Sequence, residues 1–223
     1  TPRLSSAASD VYKRQSINGL EVWTKLIGEF NAYNILATYS LAKAYDLIED
    51  KILNNISALE TVEGRFEKIS KNGISKIGIV DYAHSPDSIK KILQTLNELK
   101  AKDEFLITVI GCGGDRDVDK RPLMGKIAAS LSDKVVFTSD NPRFEDPKSI
   151  LKQIKSGVEY KDLHKVSIIV DRKKAIKYAC EINSKNDVIL IAGKGHEKFQ
   201  IFGDSKIDFD DKKILEEFLI NNK

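Results

Sequence analysis

The 223-residue sequence has little of what marks several classes of protein. It contains only two cysteines, Cys112 and Cys180, which fit a reducing cytosol better than a disulfide framework. No apolar run approaches the roughly 20 residues of a membrane-spanning helix, and no secretory signal is visible. The net charge is only +3 and the lysines form no long basic block, which argues against nucleic acid as the main partner. These absences predict a soluble, cytoplasmic globular protein.

The first fifteen residues differ from the rest of the chain. Residues 1–15 show no helical or strand period and end in a basic cluster, whereas the remainder is rich in lysine, isoleucine and asparagine. We therefore expect this segment to be non-native or disordered, and we leave it out of the fold prediction.

The remainder contains an alternation of short apolar strands and amphipathic helices. Continuous β-branched runs such as KVVFT and DVILIAG alternate with helices whose apolar residues recur every three or four positions. This pattern predicts an α/β fold: a Rossmann-like, mostly parallel sheet with helices on both faces. We place this domain at residues 61–223, preceded over residues 16–60 by helices that belong to a different domain.

Several local patterns predict individual elements. The stretch from Asn31 to Leu47 predicts an amphipathic helix, and Ser85 followed by Pro86 predicts the start of another. A further helix is expected from Pro122, and two strands are expected to pair around the turn at 71–73. The residues expected to face inward from the first and third of these helices are Ala32, Ile35, Leu36, Tyr39, Ala42, Ile127, Ala128 and Leu131.

Four polar or glycine-rich loops follow predicted strands: DYAHSPD, GCGGDRD, SDNPR and AGKGHE. The carboxyl ends of parallel strands share one edge of a sheet, so these loops are expected to converge on a ligand site. The glycines of GCGGDRD could cradle a phosphate or simply make a tight turn. Asp81 and His84 suit the neighbourhood of a ribose or phosphate. Lys194, His196 and Glu197 could form an acid–base set, or Glu197 could bind an amine, or the loop could be merely polar.

The loop SDNPR places an acid, an amide and a guanidinium within four residues. Asp140, Asn141 and Arg143 could together hold a zwitterion, because a guanidinium binds a carboxylate bidentately and oxygen atoms suit an ammonium. The sequence shows no obvious base that could activate the Cys112 thiol, so we expect Cys112 to be a small packing residue and not a nucleophile.

Six motifs occur in the order GEFNAYN, GRFE, VDYAHSPD, GCGGDRDVDKRPLMG, SDNPR and AGKGHE. Together they resemble the Mur ligases of peptidoglycan synthesis, and among these the E-type ligases that add a diamino acid. The resemblance runs from about Gly19 to the C-terminus and is loose before GEFN. It implies three domains, of which this chain would hold the end of the central ATPase domain and the whole C-terminal domain. No GxxxxGK[ST] loop occurs, so we expect the chain to be inactive by itself.

The resemblance implies an ATP- and Mg²⁺-dependent amide ligation. In the family, the terminal carboxylate of UDP-N-acetylmuramoyl-L-alanyl-D-glutamate becomes an acyl phosphate, which the amine of meso-diaminopimelate attacks. The Mg²⁺ ligands would lie mostly upstream, so no metal site is expected in this chain. A ligase for L-lysine or lanthionine, and an isolated diamino-acid-binding module, stay as alternatives. We further expect a monomer.

By resemblance, particular residues of this chain take particular roles. Arg116 and Arg143 would bind the distal carboxylate of the diamino acid, and Glu197 would bind its ammonium with the oxygens of Asn141 and Gly193. The amino-acid-binding set is Arg116, Asp140, Asn141, Pro142, Arg143, Gly193 and Glu197. The ATP-binding set is Asn31, Asn34, Arg65, Asp81 and His84. The catalytic candidates, Lys194 and His196, rest on the residue types of the AGKGHE loop and not on the resemblance.

Overall fold

The computed structural model describes residues 13–17, 19–70, 76–182 and 186–221. The packing of its backbone divides these described residues into two compact units, one up to Val62 and one from Glu63. Among the helices of the described residues, none is long and apolar enough to cross a membrane.

The first unit is a β-hairpin with two helices. Strands β1 (Lys13–Ile17) and β2 (Leu20–Thr24) pair antiparallel, and helices α1 (Glu29–Ala44) and α2 (Glu49–Ser57) follow. Residues 1–15 are expected from the sequence to be non-native or disordered. Residues 1–12 lie outside the described residues, and the non-native origin stays a prediction. Residues 13–15 lie in β1 and are ordered. Pairing with β2 holds them extended, and a weak local period gives no sign of such a partner. The buried core of this unit is Ile17, Val22, Ile35, Tyr39, Ile52 and Ile56.

Helix α1 buries a narrower stripe than the sequence predicts. Ile35 and Tyr39 are buried and Ala42 packs against them, but Leu36 is 52% exposed. Leu36 lies about 100° around the helix from Ile35, so a core that covers the Ile35 side leaves it outside. The prediction that Leu36 faces this core is therefore wrong.

The second unit is built on a six-stranded sheet. Its strands are β3 (Glu67–Ile69), β4 (Ile77–Asp81), β5 (Leu106–Ile110), β6 (Lys134–Phe137), β7 (Val166–Ile168) and β8 (Val188–Ala192). The order is β3-β4-β8-β5-β6-β7, with β3 antiparallel and all other pairs parallel. The predicted mostly parallel sheet is confirmed. The turn expected at 71–73 lies outside the described residues.

Helices connect the parallel strands, and a hairpin follows the last of them. The helices are α3 (Pro86–Leu99), α4 (Lys120–Leu131), α5 (Pro147–Ser156), α6 (Arg172–Glu181) and α7 (Asp211–Asn221). A short 3-10 helix, Tyr160–Lys165, precedes β7, and strands β9 (Phe199–Phe202) and β10 (Ser205–Asp208) pair antiparallel. The predicted start of α3 is confirmed, because the Ser85 side chain accepts from the Ser88 N–H in a reciprocal capping box.

Helix α4 departs from the prediction in its start and its face. It begins at Lys120, two residues before the predicted Pro122, and it buries Met124 and Gly125 with Ala128. Ile127 and Leu131 are only half-buried. A Cβ at Gly125 would lie 1.9 Å from the carbonyl oxygen of Ile154 on α5, so close contact between these two helices sets the face that α4 buries.

Side chains of the sheet alternate between two helical layers. Val109, Val136 and Ile191 pack with the buried residues of α6 and α7. On the other side, α4 and α5 contact β6, and α3 packs against α4. Strands β4, β5, β6 and β8 are parallel, so the four predicted loops leave the sheet at one edge.

Candidate functional site

The loops after β5 and β6 are joined by backbone contact. The Gly114 N–H donates to the carbonyl of Asn141 at 2.9 Å, and the Arg143 guanidinium donates back to the Gly114 carbonyl at 2.7 Å. A Cβ at Gly114 would lie 1.8 Å from the carbonyl oxygen of Pro142. Only glycine permits this approach, which brings GCGGDRD and SDNPR together as predicted.

The loops after β6 and β8 are joined by a buried polar network. The Lys194 ammonium donates to Asn141 Oδ1 at 3.0 Å and to Glu197 Oε2 at 2.9 Å. Asn141 Nδ2 donates to the same Glu197 oxygen at 2.9 Å, and the Ile201 N–H donates to Asn141 Oδ1 at 3.1 Å. Burial of Glu197 opposes its ionisation, but the bonds from Lys194 and Asn141 outweigh this and lower its pKa. Three of the predicted site residues therefore form one network.

Asp140 lies against Gly193 beside this network. The Asp140 side chain is buried, and a Cβ at Gly193 would lie 2.7 Å from its Oδ2. Gly193 has φ +115°, a conformation that favours glycine. Gln200, a buried residue that the motifs do not single out, donates to the Asp140 carbonyl at 2.8 Å and so braces this part of the loop.

The backbone of Arg143 is held by the β9–β10 hairpin. Its N–H donates to the Ile201 carbonyl at 3.0 Å, and its carbonyl accepts from the Gly203 N–H at 2.7 Å. Arg143 is in the left-handed region, with φ +51°. This conformation is unusual for a residue with a Cβ, and the hairpin contacts on both sides of the residue hold it there.

Arg116 and Arg143 flank one glycine. A Cβ at Gly113 would lie 3.0 Å from Arg143 Nη1 and 3.7 Å from Arg116 Cγ. Arg116 is exposed, and its guanidinium makes a long contact of 3.4 Å with the Asp115 carbonyl. The Arg143 guanidinium and the aliphatic part of the Arg116 side chain therefore lie beside one small residue, and a guanidinium suits the binding of a carboxylate.

Asp81 has a local structural role. Its two carboxylate oxygens accept from the N–H groups of Phe66 and Ala83, each at 2.7 Å. Burial is the largest influence on this carboxyl and raises its pKa above the usual range. These bonds tie the GRFE and DYAHSPD segments together, so the predicted contact of Asp81 with ATP stays a prediction that its bonding does not favour.

One guanidinium group and two imidazole rings lie around the ring of Tyr82. The Arg65 guanidinium lies 4.6 Å from the ring centroid, and the rings of His84 and His196 lie 4.5 and 5.2 Å away. Arg65, His84 and His196 are all exposed. Close backbone contact supports this cluster, because a Cβ at Gly64 would lie 2.1 Å from the backbone nitrogen of His196. Such a cluster suits an anionic ligand.

The other two predicted ATP-binding residues, Asn31 and Asn34, lie on α1 in the first unit. Asn31 donates to the Ile27 carbonyl at 2.7 Å, and Asn34 donates to Asn31 Oδ1 at 3.1 Å. Within residues 13–17, 19–70, 76–182 and 186–221, no group of three or more His, Cys, Asp or Glu side chains is arranged to hold a metal ion.

Cys112 packs inside the second unit. Its thiol is buried, with Sγ 3.6 Å from the Met124 sulfur, and burial raises its pKa to about 12. The thiol is therefore protonated near neutral pH and is a poor nucleophile. The predicted packing role of Cys112 is confirmed.

Two buried arginines to which the sequence analysis gave no role hold the loops in place: Arg121, which lies within one of the motifs, and Arg172, which lies outside them. The first, Arg121, donates from both terminal nitrogens to Glu145 at 2.7 Å and also to the Gly113 carbonyl at 3.1 Å. Glu145 accepts in addition from the Asp115 N–H at 2.5 Å. One signal for this pair was available: a charged side chain on the otherwise apolar face of α4.

The second buried pair, Arg172 with Asp211, joins the loops after β6 and β8. Arg172 Nε and Nη2 donate to the two Asp211 oxygens at 2.8 and 2.7 Å. Its guanidinium also donates to the carbonyls of Ser139, at 3.4 Å, and Ala192, at 3.0 Å. Those carbonyls immediately precede Asp140 and Gly193, so this pair sets the separation of the two loops.

The Arg121–Glu145 pair predicts a stability contribution that disappears in acid. The hydrogen bond from Arg121 is the main reason that the pKa of Glu145 is lowered to about 2. A carboxyl with a lowered folded-state pKa stabilises fully above its unfolded pKa of about 4.3, and this stabilisation is lost as the pH falls toward 2. Urea unfolding of the chain and of Glu145→Gln should differ at pH 7, and the difference should shrink between about pH 4.3 and 2.

Glu159 supplies a matched control for this prediction. It is a surface carboxyl whose pKa is lowered by hydrogen bonds from Lys126 and Lys161. Exposed ion pairs contribute little, so Glu159→Gln should have a much smaller effect at pH 7. If the unaltered chain and Glu145→Gln differed in free energy of unfolding by the same amount at pH 7 and at pH 2, the prediction would be contradicted.

Comparisons with known proteins agree with the loop motifs. A family model described as "Mur ligase, glutamate ligase domain" matches residues 64–195. A relative from Cytophaga hutchinsonii, named UDP-N-acetylmuramoyl-L-alanyl-D-glutamate–2,6-diaminopimelate ligase, is 48% identical over 204 residues, which cover 91% of this chain. A relative of the same name from Geobacillus kaustophilus is 46% identical over 193 residues, or 86% of this chain. The chain spans 41% and 39% of the length of these two relatives.

Solved structures show the same fold. A structure of a UDP-N-acetylmuramoyl-L-alanyl-D-glutamate–2,6-diaminopimelate ligase superposes with a TM-score of 0.68 at 35% identity, over 90% of this chain and 40% of that one. The Mycobacterium tuberculosis folylpolyglutamate synthase in complex with ADP superposes with a TM-score of 0.62 at 23% identity, over 81% of this chain and 44% of that one. The second likeness concerns the fold alone. Because the family model matches more than half of the chain, the protein belongs to the Mur ligase family, as its six motifs predicted.

Proposed function

We propose that this chain is the amino-acid-binding part of an ATP- and Mg²⁺-dependent cytoplasmic ligase that adds meso-diaminopimelate to UDP-N-acetylmuramoyl-L-alanyl-D-glutamate. The observation that carries the proposal is the placement of Arg116 and Arg143 beside Gly113, on loops that are bonded to the Asn141–Glu197 network. The names of the relatives support the same substrates.

The site offers complementary charges for the far end of a diamino diacid. The Arg116 and Arg143 guanidinium groups suit its distal carboxylate, since a guanidinium binds a carboxylate through two parallel hydrogen bonds. Glu197, whose pKa is lowered, is ionised near neutral pH and suits its distal ammonium. Lysine has that ammonium but no distal carboxylate, and lanthionine has both groups, so the site favours diamino diacids over lysine.

Residues of the second unit also fit a nucleotide phosphate. The exposed Arg65 guanidinium and the His84 imidazole lie against Tyr82 and could contact an anion. ATP, when bound, would supply the phosphoryl group that activates the acceptor carboxylate. The Arg65 and His84 side chains would bind and orient the ATP phosphates, because cations near a transferring phosphate stabilise its developing charge. The Mg²⁺ ligands are expected from the part of the relatives that this chain does not cover.

A chimaera would test the proposal. Residues 19–223 would replace the matching C-terminal part of the Cytophaga hutchinsonii relative, and ADP release would be followed with ATP, the UDP-linked dipeptide and different amino acids. We expect turnover with meso-diaminopimelate, similar turnover with lanthionine, and little turnover with lysine. If a chimaera that folds and binds ATP released ADP faster with lysine than with meso-diaminopimelate, or released none with any diamino acid, the proposed substrate would be refuted.

The unjoined 223-residue chain is the matched control for the chimaera. It contains no GxxxxGK[ST] loop, so we expect no ADP release above background from the chain alone under the same conditions. Turnover by the chain alone would show that its residues suffice for phosphoryl transfer, against this expectation.

A further inference from the structure

We propose that Lys194 is a positioning residue, an internal ammonium that holds Asn141 and Glu197 so that one Glu197 oxygen is left to receive the amine of the bound amino acid. This inference rests on the proposed function, because it assigns the ammonium-binding atom of the same site. It differs from the catalytic role that the sequence suggested for Lys194.

The bonding of the network separates the two oxygens of Glu197. Oε2 accepts from both Lys194 and Asn141, each at 2.9 Å. Of the residues that the structure describes, none donates a hydrogen bond to Oε1. Glu197 is only partly buried, so this second oxygen can be reached by a ligand. Two donors on one oxygen therefore aim the other oxygen at the site.

The same bonds fix the orientation of the Asn141 amide. Its Oδ1 accepts from the Lys194 ammonium and from the Ile201 N–H, so its Nδ2 is the end that faces Glu197. An amide oxygen has two lone pairs, and both are engaged. Asn141 therefore supports Glu197, and a ligand ammonium finds its acceptor on Glu197 rather than on the Asn141 side chain.

The backbone places Lys194 beneath the loop rather than in the site. Gly193 and Gly195, on either side, have φ +115° and +53°, and a Cβ at Gly195 would lie 2.7 Å from the Tyr82 Cβ. These glycine conformations turn the lysine side chain inward, where it is 0% exposed. Its Nζ also lies 5.6 Å from the Phe199 ring centroid. A fully buried ammonium that is bonded to both Asn141 and Glu197 is held in place beneath the loop and is shielded from a ligand in the site.

The first test measures the Glu197 carboxyl without any substrate. In the 223-residue chain, ¹³C NMR would follow its titration in the unaltered protein, in Lys194→Met and in Lys198→Met. We expect the Glu197 pKa to rise in Lys194→Met, because a charge-assisted bond is lost, and to stay unchanged in Lys198→Met. Lys198 is the matched control: it lies in the same loop but pairs with Glu63 and Asp210.

The second test measures ligand binding by the same three proteins. Calorimetric titration with meso-diaminopimelate should show a Kd roughly 10-fold or more weaker for Lys194→Met, the range of one hydrogen bond to a charged group, and an unchanged Kd for Lys198→Met. Unchanged Glu197 pKa and unchanged Kd in Lys194→Met would overturn the inference. If the unaltered chain did not bind the ligand, the proposed substrate would fail while the carboxyl titration still decided the role of Lys194.

A measurement on the unaltered chain covers the case in which Lys194→Met does not fold. A buried, bonded ammonium exchanges its protons slowly, so the ¹⁵Nζ signal of Lys194 should be visible. We expect it to persist when the chain is saturated with meso-diaminopimelate, because Lys194 stays on Oε2 while the ligand takes Oε1. Loss of the signal on saturation would mean that the ligand amine displaces Lys194, which overturns the positioning role.

Discussion

Replacement of Asp211 by asparagine should lower the free energy of unfolding of the second unit by about 3–5 kcal/mol, the cost of breaking a buried ion pair. Arg172 and Asp211 are both 0% exposed, and their bidentate contact has distances of 2.7 and 2.8 Å. The variant would leave a buried guanidinium without its counter-charge. Urea unfolding of the chain and of Asp211→Asn at pH 7, followed by circular dichroism, measures this difference.

The neighbouring surface pair supplies the control. Lys173 and Glu217 join the same two helices, α6 and α7, at 3.1 Å, but both side chains are about half exposed. Glu217→Gln should therefore cost no more than about 1 kcal/mol. Equal losses for Asp211→Asn and Glu217→Gln would contradict the argument from burial.

A double variant separates the lost charge balance from lost packing. Replacing both partners, as in Arg172→Met with Asp211→Leu, removes the unpaired charge, and such apolar replacements are often neutral or stabilising. We expect this double variant to be more stable than Asp211→Asn. It should nevertheless bind the diamino acid less well, because the bonds to the Ser139 and Ala192 carbonyls are lost with Arg172. A double variant less stable than the single one would show that packing around the pair dominates.

The second large expected effect concerns Arg143 in the chimaera. Arg143→Ala should reduce kcat/KM for meso-diaminopimelate by roughly 10- to 150-fold, the range that corresponds to about 1.5–3 kcal/mol for a hydrogen bond to a charged group. It should barely change kcat/KM for lysine, which has no distal carboxylate to lose its partner. Kinetics with each amino acid varied at saturating ATP would give the two ratios.

The structure also supports a competing role for Arg143. Its Nη1 already donates to the Gly114 carbonyl at 2.7 Å, so the side chain could act only as a brace between two loops. A brace predicts equal losses for the two amino acids, and a ratio of the two effects near one would refute the selector role. Phe144→Ala is the control, because Phe144 is the next residue, is 71% exposed, and should leave both values unchanged.

The order of strands and helices, and the convergence of the loops after β5, β6 and β8, could be predicted from local pattern. Short β-branched apolar runs such as KVVFT favour a buried strand. The carboxyl ends of parallel strands lie at one edge of the sheet, so the loops that follow them converge. Ser85 and Pro86 likewise mark a helix start through bonds within four residues of chain. These features depend on interactions between near neighbours, which the sequence displays directly.

The prediction was less accurate where distant segments decide the outcome. Leu36 has the spacing of a core residue, yet the core of its unit covers only the neighbouring side of α1. Helix α4 begins at Lys120 and turns a different face inward because Gly125 meets the backbone of α5. Residues 13–15 form a strand because β2 lies beside them. In each case a tertiary partner outweighed the local preference.

By itself, the sequence indicated the family, the mostly parallel α/β fold and the loops that converge at one edge of the sheet. Only the tertiary structure decided which side chains of those loops are buried and bonded to one another and which are exposed. Arg172 and Asp211 are 39 positions apart, and Arg121 and Glu145 are 24 apart, so no local pattern pairs them. The sequence places Lys194 in a polar loop, but the conformations of the two flanking glycines turn its side chain inward. A buried charge is stable only with a bonded partner, and here that partner is Glu197. Burial and long-range pairing are properties of the folded chain, and they set the roles that residue types alone leave open.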